Sequence, residues 1–356
     1  MTHLEKVYNE LASERALLVK SEINQRWLTD FDFTDGYVLV CKKNAYLITD
    51  FRYIEAAKNE CAEGFEVLLH SGDMLGDVKA KLDENGVKTV MIEEATLSVA
   101  SFEAIKKKLD GVELTGGASA LLDNLRRYKD ASEIERIKAA QAITDAAFDH
   151  ILGYINPDRT EVDVALELEF FMRKMGAEST AFQTIAVSGT ASSMPHGVPR
   201  NVKLERGFLT MDFGAKYKGY CSDMTRTVVI GKADDDIKRL YETVKTAQLA
   251  ALDALFAGER ERKKLDTIAR DIIDNAGYKG CFGHSLGHGV GMYIHEAPGL
   301  SQKAPEGALL GVGDVVTFEP GIYLSGKYGC RIEDMVAVTE DGAYNFTCSP
   351  KELIEL

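Results

Sequence analysis

No apolar run in this 356-residue chain approaches the ~18–20 residues that a membrane-spanning helix requires, which argues against any such segment. Positive charge is in deficit. Forty-two Lys and Arg stand against 56 Asp and Glu, giving a formal net charge of -14 at pH 7. Nucleic-acid binders need clustered cations, so this balance argues against a phosphate-binding surface, and equally against docking on anionic lipid. The six cysteines (Cys41, Cys61, Cys221, Cys281, Cys330, Cys348) form no C-x-x-C pair. The opening Met1–Lys6 shows no apolar signal-peptide core. Together these read as reduced thiols in a cytoplasmic protein. Cys221 and Cys330 each fall just before an acidic candidate ligand but read as small buried core residues. The first third of the chain has no glycine-rich phosphate loop and no concentration of His, Asp and Glu, so it is assigned no chemistry.

What is present is ordinary for a globular protein, at 45% hydrophobic and 28% charged residues, with length enough for two domains. Residues 1–125 alternate helical and strand patterns. Leu4, Val7 and Leu11 mark an opening amphipathic helix, Tyr37–Val40 and Ala45–Asp50 read as strands around a Lys42–Asn44 turn, and helices are expected near Tyr53–Glu60 and Met74–Asn85. Phe65–Leu69 and Thr89–Ile92 complete the strands of a small α/β domain. The charged stretch Leu125–Asp130 reads as a linker, and residues 126–356 as a second domain. There Ser132 and Glu135 suggest a capping box opening a helix to about Tyr154, and a second helix runs from Val162 to Lys174. Asp234–Asp236 cap a third helix, and Leu265–Asn275 form a fourth.

Each helix pair leads into a hairpin. Gly207–Met211 enters and Thr227–Ile230 leaves the first, with Gly214, Tyr217, Lys218 and Gly219 as its turn chemistry. Asp212 and Asp223, eleven residues apart, then sit near facing ends of apolar strands. In the second copy Glu319 and Glu333 hold matching places, within Asp314–Gly321 and Cys330–Val338. Buried carboxylates without partners are expensive, so four together demand cations, and two bridged divalent ions are the usual solution. A nitrogen ligand is offered by Phe282-Gly283-His284-Ser285-Leu286-Gly287-His288-Gly289, where glycines beside His288 let the backbone approach closely. Oxygen-rich ligation with one imidazole suits Mn²⁺, Fe²⁺ or Co²⁺ better than zinc, which affinity order alone would still admit. His196 and His295 have telling neighbours in Met194-Pro195-His196-Gly197 and Ile294-His295-Glu296; His150, inside the first long helix, reads as structural.

In order, Asp212, Asp223, His288, Glu319 and Glu333 resemble the ligand set of the dinuclear metallopeptidases of the pita-bread fold. The Pro-His-Gly, Gly-His-Gly-x-Gly, His-Glu-x-Pro, Glu-Pro-Gly and Arg-Ile-Glu-Asp signatures are most similar to the Xaa-Pro aminopeptidase/prolidase branch. The resemblance covers residues 126–356 strongly and, on weaker motifs, the creatinase/prolidase-like N-terminal domain. It implies an α+β architecture with a pseudo-twofold catalytic domain. It implies two divalent ions, Mn or Co ahead of Zn or Fe, with Asp212 and Asp223 on one, Asp223 and Glu333 bridging, and His288 and Glu319 completing the second. It implies that Glu319 shuttles a proton, that His196 and His295 orient substrate and stabilise the oxyanion, and that His284 and Arg331 support the ligands and site water. It also implies a homodimer and a peptide substrate with proline second.

Two rivals on the same fold, a creatinase-like C–N hydrolase and a non-catalytic binding protein, lack an intact ligand set; here all five residues stand. One departure bears on the substrate. Dipeptidase relatives often read His-Glu-x-Pro-Arg, whose arginine would meet a dipeptide's carboxylate, but here the run is His295-Glu296-Ala297-Pro298-Gly299. The expectation is therefore an aminopeptidase-P-like preference for longer peptides, unless Arg200 or a partner chain's arginine supplies the contact, with Xaa-Pro dipeptidase activity as the alternative.

Overall fold

Short apolar runs separated by polar turns build the N-terminal unit, Met1–Arg126. The structure, a computed structural model, describes all 356 residues. In chain order the unit contains α1 (His3–Glu10), β1 (Arg15–Val19), α2 (Glu22–Thr29), β2 (Gly36–Cys41), β3 (Ala45–Thr49), α3 (Ile54–Glu60), β4 (Phe65–Leu69), α4 (Met74–Glu84), β5 (Thr89–Ile92), α5 (Val99–Lys108), β6 (Glu113–Thr115) and α6 (Ala118–Arg127). The six strands form one mixed sheet in the order β4-β3-β2-β1-β5-β6. Leu18, Leu39, Ile48 and Val90 of the sheet pack with Val78 and Leu82 of α4 and Ile105 of α5. Burying each such side chain stabilises the fold by roughly 1.5–3 kcal/mol. The one deeply buried carboxylate, Glu93, accepts from the backbone N–H groups of Lys20 and Ser21, the Ser21 hydroxyl and the Asn24 amide. Its hydrogen bonds are complete, which makes it a structural acid.

The second unit is Arg127–Leu356. The segment read as a linker, Leu125–Asp130, is helical as far as Arg127, where α6 ends, and only its last three residues join the helices. The next helix, α7 (Ala131–Tyr154), opens on a capping box of Asp130 and Glu133, two residues earlier than the Ser132/Glu135 pair expected; Asp130 has the extended backbone that an N-cap needs. Thr160 and Asp163 make the same box for α8 (Glu161–Lys174). Strands follow: β7 (Ser179–Thr180), β8 (Ile185–Ser188), β9 (Gly207–Phe213), β10 (Ala215–Tyr217), β11 (Tyr220–Cys221) and β12 (Met224–Ile230). Asp234 caps α9 (Asp235–Phe256), and α10 (Arg262–Ile273) follows it. The remaining strands are β13 (Gly287–Gly289), β14 (Glu296–Leu300), β15 (Val315–Phe318), β16 (Gly321–Leu324), β17 (Tyr328–Arg331), β18 (Asp334–Thr339) and β19 (Gly342–Asn345).

The expected single hairpin is two hairpins in series. β9 and β12 pair antiparallel from Met224↔Phe213 to Ile230↔Gly207, while β10 and β11 turn away into a different sheet with β7. Gly214 is the crossing point rather than part of the turn. A Cβ there would lie 2.0 Å from the Ser222 carbonyl oxygen, so only glycine lets the two chain passes approach. The tight turn is Lys218-Gly219, both at positive φ. The second half repeats the plan: β15 pairs with β18, and β16 with β17 forms the side hairpin. The two halves are joined where β12 meets the β17–β18 corner. Glu333 N–H donates to Thr225 O at 3.1 Å and the Thr227 hydroxyl to Arg331 O at 2.9 Å.

Candidate metal centre and active site

Each half turns a corner between its long strand pair and its side hairpin, and the acids lie at those corners. Asp212 is the penultimate residue of β9, Asp223 precedes β12, Glu319 follows β15 and Glu333 precedes β18. Joining the halves along Thr225–Thr227 and Arg331–Glu333 brings all four to one cavity of about 500 Å³. His288, in the short strand β13, completes the group, because a Cβ at Gly287 would fall 1.9 Å from Thr317 O and only glycine lets β13 lie that close to β15. Carboxylate oxygens of Asp223 and Glu333 and a ring nitrogen of His288 lie within 4.8 Å of one another. His288 Nε2 is 3.5 Å from Asp223 Oδ2 and 3.4 Å from Glu319 Oε1.

The remaining polar contacts orient these groups. The Thr225 hydroxyl donates to Glu333 Oε2 at 2.7 Å, and the Thr317 hydroxyl to Glu319 Oε1 at 3.3 Å. Arg331 donates to Asp212 Oδ2 at 2.5 Å, to the Tyr323 hydroxyl at 2.7 Å and to the Thr225 hydroxyl at 2.9 Å. Tyr323 in turn stands 3.0 Å from His284 Nε2, while His284 Nδ1 faces Ser285 O at 2.9 Å. A carbonyl only accepts, so Nδ1 carries the proton, and Tyr323 donates to Nε2. Both ring nitrogens of His284 are thereby committed within the protein. His196 and His295 line the cavity at its exposed side, and the His295 ring meets His288 edge-on at 4.4 Å. His150 pairs with Glu167 at 2.6 Å and stacks on Phe171, far from this chemistry in role. Cys221 and Cys330 are buried free thiols, with Cys330 inside the apolar core of the second half. Arg200 does not turn inward; its guanidinium is held by Glu161 at 2.6 and 2.9 Å.

Four carboxylates against one guanidinium leave an uncompensated negative charge. Burial, then repulsion from Glu333, Asp212 and Glu319, raises the Asp223 pKa well above the ordinary value. Burial, then Glu319 and Asp212, does the same to Glu333. Burial pushes Glu319 up to about 8. Burial lowers His284 and His288 to about 4, so both are neutral near pH 7. Burial works against the Arg331 cation too, yet Tyr323 and the surrounding carboxylates leave its pKa well above the arginine norm. Asp212 Oδ1 is buried without a hydrogen-bond partner. Neutral imidazole, crowded carboxylates and an orphaned oxygen are a donor set that divalent cations complete, so the residues fit such ions.

Sequence reading missed Tyr323, Thr225 and Thr317. Tyr323 closes the run Glu-Pro-Gly-Ile-Tyr that Glu319 opens, and the two threonines each lie two residues from a proposed ligand, Asp223 or Glu319; that proximity was the available signal.

Residues 135–340 match the Metallopeptidase family M24, and residues 5–128 match the Creatinase/Prolidase N-terminal domain. The chain belongs to metallopeptidase family M24. As an M24 member of the pita-bread Xaa-Pro peptidase group it is a metal-dependent hydrolase, and the resemblance read from its motifs holds at that level. The chain is similar to the Xaa-Pro dipeptidase from Bacillus anthracis, with 42% identity and a TM-score of 0.92 over 99% of this chain and 98% of that one. It is similar to the X-Pro aminopeptidase from Thermotoga maritima, with 36% identity and a TM-score of 0.92 over 98% and 100%. The Xaa-Pro dipeptidase of Pyrococcus furiosus is 38% identical over 90% of this chain and 89% of its own length. No helix of the M24 chain is long and apolar enough to cross a membrane.

Proposed function

We propose that the protein removes the N-terminal residue from peptides whose second residue is proline, in the manner of aminopeptidase P, favouring tripeptides and longer chains over dipeptides. The carrying observation is that the cavity holds one Lys or Arg side chain, Arg331, and each of its three nitrogens already donates within the protein. A dipeptide's free carboxylate therefore finds no unengaged guanidinium lining this cavity, and a bidentate arginine contact is among the stronger polar interactions. The preference for proline rests on the relatives' named activities. It is chemically reasonable, since an X-Pro bond lacks the N–H that general peptidases engage. Dipeptidase action is the second reading, favoured by the names of the Bacillus and Pyrococcus relatives.

In this reading Asp212, Asp223, His288, Glu319 and Glu333 hold two divalent ions, Mn²⁺ or Co²⁺. Those ions, when bound, activate water and polarise the scissile carbonyl. Glu319 takes a proton from the attacking water and passes it to the leaving imino nitrogen. His196 and His295 offer N–H groups at the open side, where they orient the peptide and receive the developing oxyanion. Arg331 and Thr225 hold Asp212 and Glu333 in place, and His284 acts on the site through Tyr323 and Arg331. A Cβ at Gly299 meets nothing nearer than Gly287 O at 3.9 Å, so an arginine can be rooted there. Comparing kcat/KM for Ala-Pro and Ala-Pro-Ala tests the preference. Wild type should favour the tripeptide and Gly299→Arg should gain on the dipeptide; a wild type that prefers Ala-Pro overturns the reading.

A further inference from the structure

His284 sits on a stretch with little conformational restraint of its own. Residues 281–286 belong to no helix or strand, Gly280 is at positive φ, and a Cβ at Gly283 would stand in open space. The restraint comes from one face of α10. Arg270 Nη1 donates to Phe282 O at 2.7 Å and Nη2 to His284 O at 2.9 Å. Its guanidinium carbon lies 4.3 Å from the centroid of the Phe282 ring. Behind it, the fully buried Asp266 accepts Nε and Nη2 at 2.9 and 3.0 Å, the Leu286 N–H at 2.9 Å and the Gln302 amide at 2.7 Å. These bonds grip the backbone immediately before and after Ser285, the residue whose carbonyl accepts the hydrogen bond from His284 Nδ1–H. Leu286 O, just beyond, accepts the Glu319 N–H at 2.8 Å.

We propose that Arg270, backed by Asp266, is a positioning residue for this reaction: from α10 it clamps the backbone on both sides of His284, and so fixes that imidazole's tautomer. Lysine cannot replace it, because a single ammonium does not span two carbonyls and a carboxylate at once. The clamp acts through His284, which holds Tyr323, which accepts from Arg331, which holds Asp212.

The inference rests on the Xaa-Pro reading only for its activity assay, so the test has a second readout. Arg270→Met, Arg270→Lys, His284→Ala and the Arg270→Met/His284→Ala pair are compared with wild type on Ala-Pro-Ala, all checked for folding by circular dichroism. Arg270→Met should lower kcat by about 10–100-fold with KM little changed, Arg270→Lys should fall between, and the double variant should lose little beyond His284→Ala alone. In the metal-free protein, nitrogen-15 spectra at neutral pH should show His284 protonated on Nδ1 in wild type and as a tautomer mixture in Arg270→Met. That spectrum needs neither substrate nor metal, so it judges the clamp even if wild type leaves the peptide intact. A folded Arg270→Met with undiminished kcat, losses that add in full to those of His284→Ala, or an unchanged tautomer each overturn the proposal. Should Arg270→Met not fold, Arg270→Lys decides: full kcat and an unchanged tautomer overturn it.

Discussion

The chemistry of the site is a matter of which charges face one another without water between them. Asp223, Glu319 and Glu333 resist ionisation because burial removes their hydration and neighbouring carboxylates, Asp212 in every case, add repulsion. Arg331 offsets the Asp212 charge and is fixed by Thr225, Tyr323 and the Pro195 carbonyl besides, so it orients Asp212 as well as neutralising it. Two substitutions separate the roles. Glu319→Gln keeps the shape but neither takes up a proton nor binds a cation as a carboxylate does, so most turnover should vanish while the fold is kept. His284→Ala removes a ring whose nitrogens both bond within the protein, and its cost should be milder, about 10–100-fold in kcat. Steady-state kinetics on a tripeptide distinguishes them, and equal, negligible effects would reject the assignment.

Strands and their corners determine where these residues stand. Each long antiparallel pair leaves its sheet at a corner, and at two of the four corners a glycine or proline lies close to the acid: Gly214 two residues after Asp212, and Pro320 directly after Glu319; Gly287 likewise precedes His288 where β13 runs against β15. At Gly287 the neighbour is the Thr317 carbonyl, which is backbone and cannot swing aside. Gly287→Ala should therefore push β13 off β15, destabilise the protein by about 1–3 kcal/mol and weaken divalent-ion binding together. Urea denaturation and calorimetric Mn²⁺ titration measure the two effects. A variant with unchanged stability and unchanged ion affinity would refute the close-approach argument.

At the scale of the whole molecule the acids set the pH response of the metal-free protein. A carboxyl whose folded pKa lies above its unfolded value stabilises the fold while protonated, and that contribution is lost as pH rises from the unfolded value through the folded one. For Glu319 the span runs from 4.5 to about 8. His284 and His288, lowered from 6.5 to about 4, act in the opposite sense across that lower interval, because there the unfolded chain binds protons that the folded one does not. Above 6.5 the histidines no longer contribute, so the Tm of metal-free protein should fall between pH 6.5 and 8. Mn²⁺ or Co²⁺ should cancel that fall by binding only the folded state, and should restore the peptidase activity that stripping removes. Thermal scans across this window check the sign; a Tm that climbs with pH in the absence of metal would contradict it.

The five ligand candidates, the two-domain α/β-then-α+β order and the duplicated helix–helix–hairpin plan were all legible in the chain, because apolar periodicity and short motifs are local properties. The family entered through the resemblance of those motifs to a known group, and the match to metallopeptidase family M24 bears it out. What the sequence left open depended on distant partners. Ser132 and Asp130 are both competent caps, and only the backbone conformation selected Asp130. Gly214 suits a turn as well as a crossing, and the approach of Ser222 decided between them. Arg200 was a candidate for a substrate carboxylate until Glu161, 39 residues away, was found to hold it. The grip of Arg270 on the His284 backbone carries no signature in sequence, because a carbonyl accepts a hydrogen bond whatever its residue type. Local pattern specifies which groups the chain carries. Burial and long-range pairing decide which of them are charged, which are committed, and which face the cavity.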